Sequence, residues 1–195
     1  MVRSIIAIIL AAGASTRFKE NKMLYKLNGE PIIRRVVSKV LKSVVDKVVV
    51  VVGYESEKVK SVISDLNCNI VYNPKYEEGM STSVKAGLSH VINEAEAIVI
   101  IPGDCAFIEA EDVNKVVKEF KECGEDIIVI SYKGRKGHPI LFSKRIFNDI
   151  SNINEKGMGL KEVLIKYSNK IRKVESESPR VLIDIDTKED LLKLR

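Results

Sequence analysis

Hydrophobic positions in the chain follow two alternating patterns. Short runs of mostly β-branched residues, such as the five valines at 48–52, are typical of strands covered on both faces in a parallel sheet. Longer stretches repeat apolar residues at helical spacing with charged residues between them, which predicts amphipathic helices. The predicted strands are residues 5–10, 47–52, 69–72, 97–101, 127–132, 137–142, 171–174 and 180–183. The predicted helices are residues 32–44, 55–66, 81–88, 111–121, 144–150 and 161–167.

The alternation of strands and helices predicts a three-layer α/β fold with a mostly parallel, twisted sheet. The chain has 195 residues, of which 45% are apolar, and no repeat or low-complexity linker divides it. Residues 1–195 are therefore expected to form one domain with a substantial core. Loops at the carboxyl ends of parallel strands meet at one edge of the sheet, so the two glycine loops, at residues 10–22 and 78–88, and the two acidic sites, at residues 104 and 184–186, should converge on one cleft.

Charge and cysteine content narrow the classes of function. The net charge is +5, and Lys and Arg are spread along the chain without aromatic platforms, so an anionic small ligand is expected rather than a nucleic acid. The three cysteines, Cys68, Cys105 and Cys123, show no CxxC spacing, and their odd number argues against a disulfide framework. The first apolar run is too short for a signal peptide and no stretch reaches transmembrane length, so we expect a cytoplasmic protein with no membrane partner.

The loop after the first strand carries the strongest chemical signal. Its small side chains leave successive backbone N–H groups free to converge on an anion, and the Ser15 hydroxyl adds a donor. Arg17 and Lys22 supply two cations, which suits a polyphosphate better than a single carboxylate. A plain strand-to-helix turn with solvated cations is the alternative, and neither a GxxxxGK loop nor a GxGxxG loop is present. The candidate phosphate-binding residues are Leu10, Ala11, Ala12, Gly13, Ala14, Ser15, Arg17 and Lys22.

Acidic residues follow two later predicted strands. Asp104 lies in the sequence Pro102-Gly103-Asp104, directly after a buried strand, where ligands bind in open α/β sheets. It either caps a turn there or, beside a polyphosphate loop, serves as a magnesium ligand. Asp184 and Asp186 are two residues apart and would lie on one side of a strand, facing one cation. Asp186 is equally suited to capping a last helix, with Glu189 completing a capping box.

Two further polar features have simple structural explanations. The sequence Gly79-Met80-Ser81-Thr82-Ser83 is a second loop of glycine and hydroxyl residues that enters a predicted helix. Ser81 is suited to capping that helix, which on its own explains the serine. His138 stands at the start of another predicted strand, and both a binding role and a structural role are open for it.

Together these residues favour a nucleoside triphosphate bound with Mg²⁺. Mg²⁺ prefers one or two carboxylates together with phosphate oxygens and water, which matches acidic residues beside a phosphate loop. No serine, cysteine or histidine stands out as an activated nucleophile. A phosphorylated acceptor is already an anionic nucleophile at neutral pH, so transfer needs mainly alignment and charge neutralisation, which the metal and Lys22 would supply.

The chain resembles the MobA-like nucleotidyltransferases, and most of all the branch that contains molybdenum cofactor cytidylyltransferases. The LAAGxSxR signature stands at residues 10–17, the family's lysine at Lys22, and its two aspartate motifs at 102–106 and 184–187. The resemblance implies a Rossmann-like nucleotidyltransferase fold, in which the acceptor phosphate attacks the α-phosphate and pyrophosphate leaves. The chain departs from the family pattern at Lys19, Ala106 and Lys161, where glycine, proline and arginine are usual.

The resemblance also implies a role for each matched residue. Residues 11–15 would wrap the triphosphate, and Arg17 and Lys22 would bind phosphate and act in catalysis with Asp104. Asp104 and Asp186 would ligate Mg²⁺, with Asp184 as a third candidate. The remaining nucleotide contacts are implied for Gly79, Ser81, Ser83, Pro102 and Gly103.

The implied reaction is the Mg²⁺-dependent transfer of a nucleoside monophosphate, CMP from CTP, to a phosphorylated acceptor such as molybdopterin. The resemblance also implies the base, because LAAG in place of LAGG in this family favours cytidylyl over guanylyl transfer. A client molybdoenzyme would be a partner. A sugar phosphate or methylerythritol phosphate as acceptor is the nearest alternative. A non-catalytic nucleotide-binding accessory protein for cofactor maturation is an alternative of another class.

Overall fold

A seven-stranded sheet forms the centre of the molecule, in a computed structural model that describes residues 4–18, 20–187 and 190. The strands are β1 (Ser4–Ala11), β2 (Lys26–Leu27), β3 (Glu30–Pro31), β4 (Lys47–Val52), β5 (Asn69–Tyr72), β6 (Ala95–Pro102), β7 (Ile127–Tyr132), β8 (Arg135–Ser143) and β9 (Ile171–Glu175). The α-helices are α1 (Ile32–Val40), α2 (Ser56–Ser61), α3 (Met80–Val91), α4 (Ala110–Cys123), α5 (Phe147–Ser151) and α6 (Leu160–Lys166). The sheet order is β5-β4-β1-β6-β8-β7-β9, and β2 and β3 form a separate ribbon.

The direction and register of the strands position the loops that matter. β1 pairs in parallel with β4 on one side and with β6 on the other, and Leu10 lies beside both Val51 and Pro102. Among these seven strands only β8 runs against the rest, because it pairs antiparallel with β6 and β7, while β7 and β9 are parallel. The predicted α/β fold with a mostly parallel sheet is therefore confirmed, and the loops after β1 and β6 begin side by side.

The apolar runs are buried because helices cover both faces of the sheet. Successive residues of β1 point to opposite faces, so Ile9 packs on the side of α1 and α4 and Ile8 on the side of α3 and α5. Both side chains are fully buried, and each such burial contributes about 1.5–3 kcal/mol. α3 lies so close to the sheet that a Cβ added at Gly87 would be 2.5 Å from Cγ2 of Ile8.

The predicted strand at 180–183 is wrong. Pro179–Leu182 is a 3₁₀ helix, and the Ser178 hydroxyl caps it by accepting the N–H of Arg180 at 3.4 Å. Proline suits this position because its φ is fixed at a helical value and it has no N–H to leave unpaired. Residues 183–186 then continue outside any strand, and the N–H of Ile185 donates to the Asp104 carbonyl at 3.3 Å.

Other predicted elements differ at their ends or in how they are divided. The predicted helix at 144–150 is a 3₁₀ turn, Lys144–Ile146, followed by α5. At the predicted cap of a last helix, the Thr187 hydroxyl, not Asp186, accepts the N–H of Asp190 at 3.3 Å. Lys19 and Glu189 lie outside the described residues. Over the stretches described, none of the helices has the length and apolar character needed to cross a bilayer.

Candidate active site

The loops at the carboxyl edge of the sheet surround a cleft of about 530 Å³. Its walls come from the loop after β1, from the 3₁₀ turn Tyr76–Glu78 with the start of α3, and from the loop after β6. The lining residues are Leu10, Ala11, Ala12, Gly13, Ala14, Ser15, Thr16, Arg17, Lys22, Met23, Tyr76, Glu77, Gly79, Met80, Ser83, Pro102, Asp104 and Asp186.

Most candidate site residues from the sequence line this cleft, but Ser81, Gly103, Asp184 and His138 are not among its lining residues. Ser81 is buried, and its hydroxyl donates to Oε1 of Glu155 at 2.7 Å. Since Gly79 occupies the N-cap of α3, the predicted capping role of Ser81 is wrong. Gly103 instead connects the loop after β6 to the end of β1, because its N–H donates to the Leu10 carbonyl at 2.9 Å and an added Cβ would meet that oxygen at the same distance.

Five residues that line the cleft are not among the candidate site residues from the sequence. They are Thr16, Met23, Tyr76, Glu77 and Met80. Tyr76 and Glu77 precede Gly79 in one short turn, so extending the glycine and hydroxyl loop backwards would have found them. Met80 is 53% exposed, which is unusual for a large apolar side chain, but exposure is not visible in the sequence.

The small-residue loop is anchored at both ends and open at its tip. The Ala12 carbonyl accepts the N–H of Tyr54 at 3.1 Å, which ties the loop to the end of β4. A Cβ at Gly13 would meet no atom within 4 Å, so the cleft has free space at this position. Ser15 adopts a left-handed conformation with a φ of 53°, and its Oγ accepts the N–H of Lys22 at 3.2 Å. The serine hydroxyl keeps its own proton to donate to a ligand.

The predicted phosphate-binding cations and metal-binding carboxylates neutralise one another. Nζ of Lys22 forms an ion pair with Asp104, donates to the Ile185 carbonyl at 2.9 Å and lies 3.4 Å from Oδ1 of Asp186. Arg17 contacts Asp186 through both terminal nitrogens, at 2.9 and 3.0 Å. Lys22 and Asp104 are 14% and 16% exposed, whereas Arg17 is 70% exposed, so the inner pair is the strongly coupled one. A bound metal would give the two carboxylates a new partner, and a bound polyphosphate would give the two cations one.

The carboxylate of Asp104 fits a divalent cation. Its Oδ2 faces Lys22, but its Oδ1 is buried and, in the part of the chain that the structure describes, has no hydrogen-bond partner. Buried polar atoms normally have a partner, because leaving one unsatisfied costs about 1–3 kcal/mol. A hard cation such as Mg²⁺ or Mn²⁺ would satisfy this oxygen.

Asp184 and Asp186 have different partners, in contrast to the prediction that a strand would point both at one cation. Oδ1 of Asp184 accepts the Cys105 thiol at 3.4 Å, and ligand atoms of Asp104, Cys105 and Asp184 lie within 4.8 Å of one another. Burial raises the pKa of Asp184 and, well above its usual value, that of the Cys105 thiol. Burial lowers the pKa of His138, against the attraction of Asp184 and Asp104. Cys105 is thus a neutral thiol and His138 a neutral imidazole near pH 7.

A comparison with protein families identifies the family of the chain. The model of the MobA-like NTP transferase domain matches residues 7–171. The chain belongs to this family. The MobA-like NTP transferase domain is a nucleotidyltransferase domain, which agrees with the cations and carboxylates gathered at the carboxyl edge of its sheet.

Two curated proteins resemble this MobA-like domain over nearly its full length. A probable molybdenum cofactor guanylyltransferase from Thermococcus sibiricus is 28% identical over 197 residues, which cover 97% of each chain. The molybdenum cofactor cytidylyltransferase of Escherichia coli is 27% identical over 191 residues, which cover 97% of this chain and 94% of that protein.

Solved structures share the fold at lower identity. A nucleotidyl transferase from Methanothermobacter thermautotroptrophicus has a TM-score of 0.84 at 21% identity, covering 98% of this chain and 96% of that one. A Mycobacterium tuberculosis protein in complex with manganese has a TM-score of 0.82 at 20% identity, covering 98% and 97%. A CMP:2-keto-3-deoxy-manno-octonic acid synthetase in complex with CTP has a TM-score of 0.81 at 15% identity, covering 98% and 96%.

Proposed function

We propose that the protein transfers a nucleoside monophosphate, CMP from CTP, to the phosphate of molybdopterin and releases pyrophosphate. The observation that carries this proposal is the single cleft in which Arg17 and Lys22 meet Asp104 and Asp186 beside the small-residue loop. The two molybdenum cofactor relatives support the acceptor, and the LAAG sequence at residues 10–13 supports cytidylyl transfer. The product would pass to a client molybdoenzyme, and all of these residues would act within one domain.

In the proposed reaction, residues 11–15 surround the triphosphate with backbone N–H groups. Arg17 and Lys22 leave their carboxylate partners and bind phosphate oxygens, which neutralises charge as the bond to the α-phosphate breaks. Oδ1 of Asp104 and a carboxylate oxygen of Asp186 would hold Mg²⁺, which stabilises negative charge on the phosphates when it is bound. Gly79 and Ser83 would border the nucleoside. The acceptor phosphate is the nucleophile, so no protein side chain needs to be deprotonated.

The decisive measurement is pyrophosphate release with CTP, GTP, ATP or UTP, in the presence of Mg²⁺ or Mn²⁺ and of molybdopterin. Release with CTP and molybdopterin is expected, and Asp104→Asn should reduce it by at least about 100-fold without changing the fold. Release with GTP alone among the nucleotides would overturn the choice of base. Unimpaired turnover by the Asp104→Asn variant would remove Asp104 from the site.

A different acceptor is the second candidate function. The fold similarity to a synthetase solved with CTP favours it, since that enzyme is named for a sugar acid, 2-keto-3-deoxy-manno-octonic acid. Sugar phosphates, methylerythritol phosphate and 2-keto-3-deoxy-manno-octonic acid therefore belong in the same acceptor panel. Turnover with one of them and none with molybdopterin would select this candidate. Tight CTP binding without turnover on any acceptor would instead favour a nucleotide-binding accessory protein.

A further inference from the structure

The segment between α5 and α6, residues 152–159, returns to the first turn of α3. The carboxylate of Glu155 accepts the backbone N–H of Ser81 at 2.6 Å and the Ser81 hydroxyl at 2.7 Å. The N-cap residue Gly79 provides no side-chain cap for α3. Glu155, 74 residues away in sequence, therefore supplies the acceptor and the negative charge that a helix N-terminus favours.

Glycines make this close contact sterically allowed. Gly79 has a φ of +106°, and a Cβ added there would overlap the Glu155 side chain. On the opposite segment Gly159 has a φ of +59°, and its added Cβ would lie 3.1 Å from Oγ of Ser81. Each segment thus has a glycine where it meets the other, and both glycines adopt conformations that residues with side chains rarely adopt.

The segment that carries Glu155 is itself braced. The Glu155 carbonyl accepts the N–H of Met158 at 3.1 Å, and the Asn154 carbonyl accepts the N–H of Gly159 at 2.9 Å. Oδ1 of Asn154 accepts the N–H of Gly157 at 2.9 Å, and Ile153 is buried in the core. These bonds fix the position from which Glu155 reaches α3.

The contact between Glu155 and Ser81, which we call the clamp, lies directly behind the cleft wall. Gly79, Met80 and Ser83 line the cleft, whereas Ser81, between them, faces Glu155. We propose that Glu155 is a positioning residue, which clamps the first turn of α3 and so sets the shape of the nucleoside end of the cleft. This inference rests on the proposed function, in which Gly79 and Ser83 border the nucleoside. Glu155 itself is not part of the cleft lining, so its effect on the reaction passes through α3.

Three variants test the clamp. Glu155→Ala removes both acceptor oxygens, Glu155→Gln keeps one amide oxygen at the same reach, and Lys156→Ala is the matched control, because Lys156 is exposed in the same segment. For Glu155→Ala we expect the KM for CTP to rise by about tenfold, as for the loss of a hydrogen bond to a charged group, with kcat within about twofold. Glu155→Gln should recover most of the affinity, and Lys156→Ala should match the wild type.

Hydrogen exchange of the free proteins provides a readout that does not depend on turnover. Faster exchange at the amides of residues 80–83 is expected in Glu155→Ala and not in the control. Unchanged exchange there, or a fall in kcat at constant KM, would overturn the clamp. Wild-type protein that neither binds CTP nor releases pyrophosphate would refute the proposed function, while the exchange comparison would still decide whether Glu155 holds α3.

Discussion

Nζ of Lys22 donates to three acceptors, and two of them are carboxylates that a bound metal would need. A divalent cation that binds as proposed would therefore compete with the ammonium group for Asp104 and Asp186. At a separation of about 4 Å near a protein surface, one such charge pair is worth up to about 4 kcal/mol, which is enough to affect metal affinity by orders of magnitude. In the proposed reaction the nucleotide would relieve this competition, because it would give Lys22 phosphate oxygens to bind.

Replacement of the ammonium should therefore separate metal binding from catalysis. We expect Lys22→Met to bind Mn²⁺ at least about tenfold more tightly than the wild type in the absence of nucleotide, because the carboxylates have lost their competitor. Pyrophosphate release should fall by at least about 100-fold in the same variant. Electron paramagnetic resonance of free Mn²⁺ measures the affinity, with Lys26→Met as the exposed control. Weaker Mn²⁺ binding in Lys22→Met would contradict the competition.

The two aspartates of the motif at residues 184–187, Asp184 and Asp186, differ in their surroundings. Asp186 lines the cleft and contacts Lys22, whereas Asp184 contacts the Cys105 thiol. We expect Asp186→Asn to lower kcat/KM by at least about 100-fold and Asp184→Asn by less than about tenfold, measured as pyrophosphate release at saturating Mg²⁺. The reverse order of losses would make Asp184 the second ligand.

Helix α3 meets the sheet through a glycine, which makes its packing a sensitive test of the fold. A methyl group at Gly87 would lie 2.5 Å from Cγ2 of Ile8 and 3.0 Å from Cγ2 of Val51, and both side chains are buried. Helix propensity favours Gly87→Ala by about 1 kcal/mol, but overpacking a buried site costs about 1–3 kcal/mol. We expect a net loss of stability in urea unfolding, and almost no change for Ser89→Ala on the exposed side of α3. A stabilised Gly87→Ala variant would show that α3 can move away from the sheet.

Asp126, directly before β7, bonds to Ser143 at the end of β8 and to two basic side chains, and it makes stability depend on pH. Its carboxylate accepts the Ser143 hydroxyl at 3.1 Å and Lys170 at 3.2 Å, and it also pairs with Arg145. Burial acts to raise the pKa of Asp126, but these bonds outweigh burial and hold the pKa below its usual value. A carboxyl group with a lowered pKa stabilises the fold above its unfolded-state pKa, and this contribution is lost as the pH falls through the folded-state pKa.

The Asp126→Asn variant should therefore be less stable at pH 7 by about 1–3 kcal/mol, because the charged hydrogen bonds are lost. Its deficit should begin to shrink as the pH falls through the ordinary aspartate pKa of about 3.9, where the unfolded wild-type chain takes up a proton, and should vanish only below the lowered pKa of the folded protein. Urea unfolding of both proteins across this pH range measures the difference, with Glu125→Gln as the exposed neighbour. A deficit that stays constant with pH would show that the lost side-chain geometry, not the charge, matters.

Local patterns predicted most of the elements, and the failures trace to particular residues. The bounds of β4, β5 and β7 agree with the sequence, because runs of β-branched residues end at clear turn signals. The run at 180–183 has the same apolar character, but Pro179 starts a 3₁₀ helix there. Ser81 was assigned a local capping role because a capping pattern is local in sequence. Its actual partner, Glu155, is set by the tertiary fold, which sequence spacing does not reveal.

At the scale of the whole molecule, the cleft is assembled by the order and register of the strands. β1 lies between β4 and β6, and the pairing of Leu10 with Pro102 brings the small-residue loop after β1 beside the loop that carries Asp104. The rule that ligands bind at the carboxyl edge of such sheets predicted this convergence from the sequence. Asp186 reaches the same cleft from the far end of the chain, through a segment that no strand pairing fixes.

If the proposed function holds, this assembly should make metal and nucleotide binding depend on each other. In the free protein Lys22 and Arg17 occupy the carboxylates, so neither a metal nor a triphosphate alone can satisfy both sets of charges. We expect Mg²⁺ to tighten CTP binding and CTP to tighten Mg²⁺ binding by the same factor, about 5–150-fold for a typical coupling. Calorimetric titration of each ligand with and without the other measures both factors, after correction for the complex that CTP and Mg²⁺ form in solution. Independent binding of the two ligands would mean that the ion pairs of the free protein persist in the complex. That result would contradict the proposal that Lys22 and Arg17 exchange their carboxylate partners for phosphate oxygens.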